Sequence, residues 1–458
     1  MPIKPSILKG TRDFSATDIA KRNYLKQVLR QNFEVYGFVP IETPTFERTE
    51  TLLGKYGDEG DRLIFRILNS GEKVKKANID ALAAGKLGAF ADSVTEKALR
   101  YDLTVPFARY VAQYQNDIVF PFRRYQIQPV WRADRPQHGR FQEFVQCDAD
   151  IIGDRSLVQE LEVIQLYDKV FSDLKLTGVN VRLNHRKILA GLAAAIGAPD
   201  QLIAFTVALD KLDKIGIEGV EKELINQGFA TDVVAKLNPI LSLEGNAEEK
   251  LDQLKLILAD HPEALEGIEE LNYIFKTLQK QGLQCVSLDV DLTLARGLNY
   301  YTGMIVEVRA PESVKMGSIG GGGRYDDLAG SFGLKDKSGI GISFGFDRIF
   351  LILEELNLFP KEIVKRTQLL FLHTGEAGLD WCINALQNLR QAGLAAEIYP
   401  SAAKFKKQLN YAHQKQIPFV LIYGEEEQAQ GVFVLKNMTS GHQKTHPLIT
   451  PIASLLSN

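Results

Sequence analysis

The segment from Pro129 to Gly153, PVWRADRPQHGRFQEFVQCDADIIG, has the period of two β-strands joined by a turn, yet it carries charges where a sheet normally buries apolar side chains. Every second side chain of a strand projects to one face. The residues predicted to share one face of the second strand are Arg140, Gln142, Phe144, Gln146 and Asp150. Arg132 ends the first strand. Because unpaired buried charge is costly, this face requires a polar ligand or water.

The residue types on this face suit a nucleotide together with an amino acid. Guanidinium groups match phosphate oxygens, an aromatic ring stacks on a base, and a carboxylate pairs with an ammonium group. The alternative is a solvated hairpin with scattered salt bridges, and the hairpin alone does not decide between the two.

Composition excludes several other classes of protein. The 458 residues are 45% hydrophobic and 24% charged, a globular balance that allows about two to four domains. The formal net charge of -3 shows no basic excess, so a nucleic-acid partner would be held by local patches. Cys147, Cys285 and Cys382 lie far apart, which argues against a disulfide framework or a thiolate zinc site and fits a reducing cytosol.

Two further absences limit the possible functions. The sequence has no apolar leader and no run of about 18 apolar residues, so it predicts neither export nor membrane insertion. His442 and His446 are four residues apart, but Pro447 follows and no third ligand is near, so we predict a surface turn and no metal site.

The first half of the chain mixes helical and extended patterns. Apolar periodicity predicts a helix from Asp18 to Tyr36, followed by a strand in FVPIETPTFE. Pro40 and Pro44 belong at a sheet edge or at a crossing between subunits, because proline cannot donate to a central ladder. Residues 69–96 are predicted to form an inserted loop with one short helix. The later helical segments are predicted at Ser156–Leu174, at Arg186–Ile196 and in a helical insertion at Pro199–Gly282.

The second half of the chain contains further predicted strands, followed by a segment in which short strands alternate with helices. CVSLDVDLTL and MIVEVRA are predicted strands, SIGGGGRYDDLAG a glycine-rich turn, and GIGISFGFDRIFLILEEL a strand followed by a helix. After the linker NLFPKEIVKR, the short apolar strands TQLLFLH, AAEIYP and PFVLIYG alternate with helices at 378–391 and 402–416. This alternation predicts a small α/β domain with a parallel sheet.

Other polar positions support a ligand site. Arg296 ends an apolar run just before Tyr300 and Tyr301, where its charge would stabilise a developing phosphorane; the alternative is an arginine that bridges carboxylates beside core tyrosines. Asp102 and Thr104 are one strand period apart, and they either line the same cavity or cap the following helix.

The glycine-rich segments bear on the same site. GGGGRYDDL lacks the G-K-[ST] ending of a phosphate loop, so close backbone approach is the better interpretation. In GIGISFGFDRI the glycines at alternate positions leave one strand face bare enough for a flat ring. Arg348 follows in the first turn of a helix, where a cation is locally unfavourable, so we expect an anionic ligand rather than a solvated side chain.

Eight segments occur in the order found in the histidyl-tRNA synthetase family, which this sequence resembles along nearly its whole length. They are GTRDF, the helix and strand through Pro44, RYDLTVPFAR, VWRADRPQHGRFQEFVQCDADIIG, LNHRKIL, LARGLNYYTG, GGGGRYDDL and GIGISFGFDRI. The resemblance implies an α+β fold: a class II synthetase catalytic domain with an antiparallel sheet, a helical insertion and a C-terminal α/β anticodon-binding domain. The implied bounds are 1–185 and 284–360 for the catalytic domain, 186–283 for the insertion and 366–458 for the anticodon-binding domain.

The resemblance also implies roles in binding ATP. Arg132 would bind the α-phosphate and the histidine carboxylate, and Arg296 would face the same phosphate from the opposite side, so these two are the expected catalytic residues. The remaining implied contacts are Asp134 with the adenine amino group, Phe144 stacked on adenine, and Arg140 and Arg348 with the outer phosphates. Magnesium is expected to enter with ATP.

Histidine and tRNA contacts are implied in the same way. Gln146, Asp150 and Thr104 would hold the α-amino group of histidine. Arg296 is also expected among the residues that bind histidine. The residues expected to recognise the imidazole are Asp102, Tyr300, Tyr301 and Tyr325. The expected contacts with tRNA(His) are Gln137 at the acceptor end and Lys404, Lys406 and Lys407 in the last domain. A cytoplasmic homodimer is expected, and the sequence departs from the family pattern at Asn299 and Gln142.

Two other functions share parts of this pattern. One is a catalytically silent paralogue, the regulatory subunit of the ATP phosphoribosyltransferase of histidine biosynthesis, which typically lacks the last domain and the central arginine. The other is an adenylate-forming enzyme that activates a free amino acid, for which the last domain has no purpose. The chain carries both the last domain and Arg296, which favours the synthetase.

Overall fold

The computed structural model describes most of the chain. The described residues are 4–56, 60–209, 211–231, 237, 243–295, 301–326, 328–363, 367–373, 375–376 and 378–456. They divide into two compact units, Met1–Phe359 and Pro360–Asn458. In the part of the chain so described, no helix is long and apolar enough to cross a bilayer.

The first unit is built around an eight-stranded sheet. The strands of the unit, which include those of this sheet, are β1 Val39–Pro40, β2 Phe46–Arg48, β3 Arg66–Ile67, β4 Lys97–Leu99, β5 Phe122–Trp131, β6 Glu143–Ile152, β7 Val179–His185, β8 Val286–Val290, β9 Met304–Arg309, β10 Ser318–Tyr325 and β11 Gly339–Phe344. The order in the large sheet is β1-β5-β6-β11-β10-β9-β7-β8, and β2, β4 and β3 form a small second sheet. The six central strands are antiparallel, with β1 parallel to β5 at one edge and β8 parallel to β7 at the other.

Helices cover the large sheet and connect its strands. They are α1 Ala16–Val35, α2 Thr49–Leu52, α3 Ile79–Ala83, α4 Leu87–Val94, α5 Thr104–Gln113, α6 Val158–Asp173, α7 Arg186–Ala195, α8 Leu202–Leu209, α9 Leu212–Asn226, α10 Ala247–Ile257, α11 Pro262–Gln281 and α12 Phe346–Glu355. Short 3-10 helices lie at Gly71–Lys76, Pro199–Gln201 and Ala329–Phe332.

One face of the large sheet is apolar and forms the main core with α1 and α6. The odd-numbered residues of β6, Cys147, Ala149 and Ile151 among them, belong to this core. The ring of Phe344 in β11 lies 5.7 Å from that of Phe33 in α1 and 4.7 Å from that of Tyr167 in α6. Because side chains alternate, the even-numbered residues of β6 project from the opposite face.

The predicted first helix is confirmed with bounds shifted by one or two residues. Ser15 and Asp18 form a capping box that starts α1. Leu25, Leu29 and Phe33 are buried as the periodicity predicts, whereas Ile19 is 44% exposed. The helices predicted at 156–174 and 186–196 are confirmed as α6 and α7.

Some strand predictions were wrong. FVPIETPTFE is divided between β1 and β2, which belong to different sheets. Pro40 does lie in the edge strand β1. The predicted glycine-rich turn is strand β10, because its glycines let β9 and β11 approach: a Cβ on Gly322 would lie 2.0 Å from the carbonyl oxygen of Gly341. The expectation of close backbone approach is confirmed there.

Residues 69–96 contain more helix than predicted. Instead of one short helix, the segment holds the 3-10 helix at Gly71–Lys76 together with α3 and α4. The side chain of Asn78 accepts the backbone N–H of Ala81, which caps α3. Local capping of this kind starts a helix even where the apolar periodicity is weak.

The long helical segment connects two parallel neighbours. Helices α7 to α11 lie between β7 and β8, so they form the crossover between these strands. Gly191 of α7 packs against Ala264 of α11, where a Cβ would lie 2.4 Å from the Ala264 Cβ. Buried leucines and isoleucines of these helices, such as Leu192 and Ile268, belong to the same hydrophobic cluster as the sheet. The segment therefore packs on the sheet within one compact unit.

The second unit is a small α/β fold. Its elements are β12 Leu369–Leu372, α13 Leu379–Gln391, β13 Ala396–Ile398, α14 Phe405–Gln414, β14 Phe419–Ile422, α15 Glu425–Gln430, β15 Val432–Asn437, β16 Gln443–Pro447 and α16 Ile452–Leu455. The predicted parallel strands are confirmed in the order β13-β12-β14. The antiparallel strands β15 and β16 were not predicted.

His446 lies in β16 and not in the predicted surface turn. The residue is 9% exposed, and its ring stacks on that of Phe433 with 5.5 Å between centroids. The prediction was wrong because the segment is mostly polar. Four of the five residues of β16 are exposed, and His446 is the one that faces the core.

Replacing Gly322 with alanine should destabilise the first unit. The new Cβ would clash with the backbone of β11, so we expect the free energy of unfolding to fall by about 1–3 kcal/mol. Equilibrium denaturation in urea measures the change. Gly317→Ala is the matched control, because no atom lies within 4 Å of its added Cβ, and it should change stability by less than about 0.5 kcal/mol. Equal effects in the two variants would contradict the packing role of Gly322.

Candidate active site

The polar face of the large sheet is built by two paired strands. In the register of β5 and β6, Arg124 lies opposite Asp150, Gln126 opposite Asp148, and Gln128 opposite Gln146. Arg124 is fully buried, and Asp148 and Asp150 are 3% and 2% exposed. The charges that the sequence placed in these strands are therefore inside the protein and largely shielded from water.

Two adjacent cavities lie along this face. The large cavity, of about 350 Å³, is lined by Arg132, Asp134, Arg140, Phe144, Gln146, Arg348 and backbone that includes Gly320, Gly321 and Gly345. The small cavity, of about 100 Å³, is lined by Asp102, Thr104, Arg132, Gln146, Asp148, Asp150, Tyr301 and Tyr325. Arg132 and Gln146 line both cavities, so they stand at the junction between them.

Arg132 is held at this junction by aromatic rings. Its guanidinium carbon lies 4.3 Å from the ring centroid of Tyr101 and 5.2 Å from that of Phe144. Its Nε donates to the carbonyl oxygen of Tyr101 at 3.0 Å. A stacked arginine side chain loses little further conformational entropy when it binds an anion, so Arg132 is preorganised to bind a phosphate or a carboxylate.

Two more arginines surround the large cavity. Arg348, in the first turn of α12, donates from Nε to the carbonyl oxygen of Gly139 at 3.1 Å and from a terminal nitrogen to the carbonyl oxygen of Ser318. It thereby links the hairpin loop to β10. Arg140 is half exposed and lies 3.8 Å from a carboxylate oxygen of Asp134. The cavity therefore offers three cations to an anionic ligand.

Asp102 serves two purposes that the sequence left as alternatives. Its Oδ1 accepts hydrogen bonds from the Tyr56 hydroxyl at 2.7 Å and from the backbone N–H of Val105, at the start of α5, at 3.2 Å. Its Oδ2 has no hydrogen-bond partner among the described residues. Burial raises the pKa of Asp102. Thr104 is the first residue of α5, and both residues line the small cavity.

Asp150 is fully engaged by protein groups. The Tyr325 hydroxyl donates to its Oδ1 at 2.8 Å. Its Oδ2 lies 2.8 Å from a terminal nitrogen of Arg124, an ion pair whose angle is outside that of a hydrogen bond. The pKa of Asp150 is raised by burial, which the Arg124 charge partly opposes.

Asp148 and Arg124 are site residues that the sequence reasoning missed. Asp148 has the same strand parity as Gln146 and Asp150, so the alternation itself was a sufficient signal for it. Arg124 could be assigned to the site only from the register of β5 against β6, and the local sequence does not contain that register. Burial raises the pKa of Asp148 to about 7.

Two expectations about this face were wrong. Gln142 lies before β6 begins, and it packs outside the cavities: its N–H donates to the carbonyl oxygen of Gly10 and its Nε2 to that of Asp134. The alternation of a strand does not extend into the turn. The bare face left by Gly339 and Gly341 is filled by the Tyr325 ring and the Asp150 carboxylate, so no flat ligand ring rests there.

The remaining predicted residues are placed as follows. Arg296, Asn299 and Tyr300 lie outside the described residues. Gln137 is exposed in the hairpin loop, where its backbone pairs with that of Arg140. Lys404, Lys406 and Lys407 are exposed at the start of α14. Among the residues that the structure describes, no cluster of three or more His, Cys, Asp or Glu side chains is arranged to hold a metal ion.

The chain is similar to known proteins along its length. The model of the family "Histidyl-tRNA synthetase" matches residues 86–349, and that of "Anticodon binding domain" matches residues 370–456. The histidine–tRNA ligase of Christiangramia forsetii is 58% identical over 97% of each chain, and that of Flavobacterium johnsoniae is 52% identical over 97% of each chain.

Solved structures give the same result. The histidyl-tRNA synthetase of a Nostoc species has a TM-score of 0.78 at 28% identity, covering 99% of this chain and 98% of that chain. A Bacillus halodurans protein described as an ATP phosphoribosyltransferase regulatory subunit/histidyl-tRNA synthetase has a TM-score of 0.71 at 21% identity, covering 93% and 99%. At that identity the second similarity extends to the fold alone.

Replacing Asp150 with asparagine should destabilise the protein strongly. The substitution keeps the shape but leaves the buried Arg124 without its counter-charge, so we expect the free energy of unfolding to fall by about 3–5 kcal/mol. The exposed pair Arg48–Glu50 offers a control, since Glu50→Gln should cost less than about 1 kcal/mol. Urea denaturation compares the two, and an effect of Asp150→Asn as small as that of the control would refute the importance of the buried pair.

Proposed function

This chain belongs to the histidyl-tRNA synthetase family, and from that premise we propose how its two cavities divide the reaction. It is an aminoacyl-tRNA ligase that activates L-histidine with ATP to histidyl-adenylate and pyrophosphate, then transfers the histidyl group to tRNA(His). The similarity to ligases extends through the anticodon-binding domain, which the regulatory paralogue typically lacks. The regulatory alternative is therefore not supported.

ATP occupies the large cavity in this proposal. Arg132, Arg140 and Arg348 supply cations for its phosphates, and Phe144 supplies a ring for adenine beside Asp134. ATP enters as its magnesium complex, so the metal belongs to the substrate. The observation that carries the assignment is Arg132, which lines both cavities and so reaches an α-phosphate in one and an amino-acid carboxylate in the other.

Histidine occupies the small cavity, with its carboxylate at the junction. The α-ammonium group then lies nearest Gln146, Thr104 and Asp102, whose Oδ2 has no partner among the described residues. The imidazole lies deeper, beside Tyr301, Tyr325 and Asp150. This pose places Asp102 beside the α-ammonium group, a contact that the family resemblance implied for Asp150, because both oxygens of Asp150 are already engaged by Tyr325 and Arg124.

Positioning and fixed positive charge do most of the chemistry. The histidine carboxylate attacks the α-phosphorus in line, magnesium pyrophosphate leaves, and the adenylate stays bound until the terminal ribose 3′-hydroxyl of tRNA takes the acyl group. Arg132 stabilises the charge that develops on the α-phosphate, and Arg296 faces it from the opposite side in this proposal. Both reactants are held in adjacent cavities, which lowers the entropic cost of bringing them together.

The remaining contacts are proposed from exposure and charge. Gln137 in the exposed hairpin loop contacts the acceptor end of tRNA, and Lys404, Lys406 and Lys407 contact phosphates near the anticodon. Phe405, which follows Lys404, is partly buried against a hydrophobic cluster of the second unit, so we do not propose that its ring stacks on a base. The proposed domain bounds remain 1–185 and 284–360, 186–283, and 366–458.

We further propose a class II enzyme that acts as a cytoplasmic homodimer. The support for the dimer is the edge strand β1, which ends the large sheet and carries Val39 at 48% exposure. Val35 and Val119 are 78% and 84% exposed. Exposed apolar residues around a sheet edge are suited to a two-fold contact.

Two assays test the ligase reaction. Histidine-dependent exchange between ATP and pyrophosphate should occur, because it reports adenylate formation, and charging of tRNA(His) should follow. Exchange without charging would instead favour an enzyme that activates a free amino acid. Absence of exchange would favour a sensor.

Replacing Arg132 with glutamine should slow the exchange about 100- to 1000-fold, because the substitution removes the charge shared by the two cavities. Arg135→Gln is the control, since Arg135 is exposed in the same hairpin loop and should keep exchange within about twofold. Steady-state exchange kinetics and thermal unfolding midpoints are measured on both variants. A folded Arg132→Gln protein with a normal exchange rate would overturn the assignment.

A further inference from the structure

We propose that Asp148 is a further histidine-binding residue, which accepts a hydrogen bond from the imidazole N–H of the substrate as a carboxylate and releases a proton to solvent when histidine binds. This inference rests on the proposed function, because it concerns the same small cavity. It adds a third carboxylate to the two that the sequence assigned to histidine.

Asp148 is a buried residue of the small cavity. It projects from the same face of β6 as Gln146 and Asp150, between them, and lies opposite Ser343 of β11 and Gln126 of β5. It lines the cavity and is 3% exposed, and its Oδ1 has no hydrogen-bond partner among the described residues. A buried oxygen without a partner carries a desolvation cost that a ligand N–H relieves.

The pairing of the neighbouring acids singles out Asp148 for the imidazole. Asp150 is engaged at both oxygens by Tyr325 and Arg124. Within the described part of the small cavity, Asp102 Oδ2 and Asp148 Oδ1 have neither a hydrogen-bond partner nor an ion-pair partner, whereas Asp150 Oδ2 is ion-paired with Arg124. Asp102 is nearer the α-ammonium group in the proposed pose, so Asp148 is left for the ring.

The charges around Asp148 explain why its proton is mobile. Burial raises its pKa to about 7, the Asp150 and Asp102 charges act in the same direction, and Arg124 and a hydrogen bond from Ser343 oppose them. The other groups that face the small cavity are Arg132, Gln146, Tyr301 and Tyr325. Asp148 in the free protein therefore takes up and loses a proton near neutral pH.

Histidine changes this balance. Its ammonium group brings a positive charge into a cavity that already contains three carboxyl groups, and an added cation stabilises the ionised form of Asp148. The pKa of Asp148 therefore falls on binding, and a proton leaves at any pH between the lowered and the original value. The sign follows directly: histidine binds most tightly above pH 7 and more weakly as the pH falls below the pKa of the free protein.

The test is titration calorimetry of the full chain at pH 7 in buffers of different ionisation enthalpy, which counts protons released. The ligands are L-histidine and its 1,2,4-triazole analogue, whose ring does not titrate near neutral pH, so protons released with the analogue come from the protein. We expect a net release of protons for the unaltered protein and none for Asp148→Asn. The KM for histidine should rise about tenfold in Asp148→Asn, with kcat little changed.

Glu143→Gln provides the matched control. Glu143 begins the same strand, is exposed and lies outside both cavities, so its loss should alter neither proton release nor the KM for histidine. If Asp148→Asn does not fold, the unaltered protein decides alone, since its inhibition constant for the triazole analogue, whose ring does not titrate in this range, should rise as the pH falls from 8 to 6, through about 7.

The outcomes distinguish a failure of the proposed function from a failure of the role proposed for Asp148. An unaltered protein that shows no histidine-dependent exchange overturns the proposed function. A protein that exchanges normally but releases no proton with the triazole analogue, or an Asp148→Asn variant that keeps the release, overturns the role of Asp148 alone.

Discussion

The ion pair between Arg124 and Asp150 is the interaction on which the site depends. Both residues lie inside the large sheet, and moving two charges out of water costs several kcal/mol per ion unless the pair and its further hydrogen bonds offset the loss. Tyr325 supplies one of these bonds. The pair brings a fixed positive charge into a region of buried carboxyls, and it therefore permits Asp102 and Asp148 to line the same small cavity with oxygens left for a ligand.

Space is the second constraint, and glycines provide it. The Asp150 carboxylate and the Tyr325 ring occupy positions where side chains on Gly341 and Gly339 would lie. Gly320 and Gly321 of β10 line the large cavity, and a Cβ on Gly320 would lie 3.0 Å from the ring of Tyr167. The glycine-rich strands are therefore required by the buried polar groups, and a larger residue at Gly339 or Gly341 would displace residues that line the small cavity.

The sequence allowed much of this architecture to be predicted, and the failures have physical causes. Helices such as α1 have a periodic apolar face that is independent of their surroundings. The glycines of β10 were assigned to a turn because glycine is depleted in strands, and only the neighbouring strands β9 and β11 explain them. Gln142 was placed in a cavity because strand alternation was extended into a turn.

The sequence by itself determined that one face of β6 is polar, since the alternation of Phe144, Gln146, Asp148 and Asp150 is a local property of the chain. It also contained the ordered motifs that identify the family. The tertiary structure decided which of three similar carboxylates is neutralised and which is left for a ligand. The reason is that desolvation and pairing come from residues on other strands and helices, whose register and burial the local sequence does not contain.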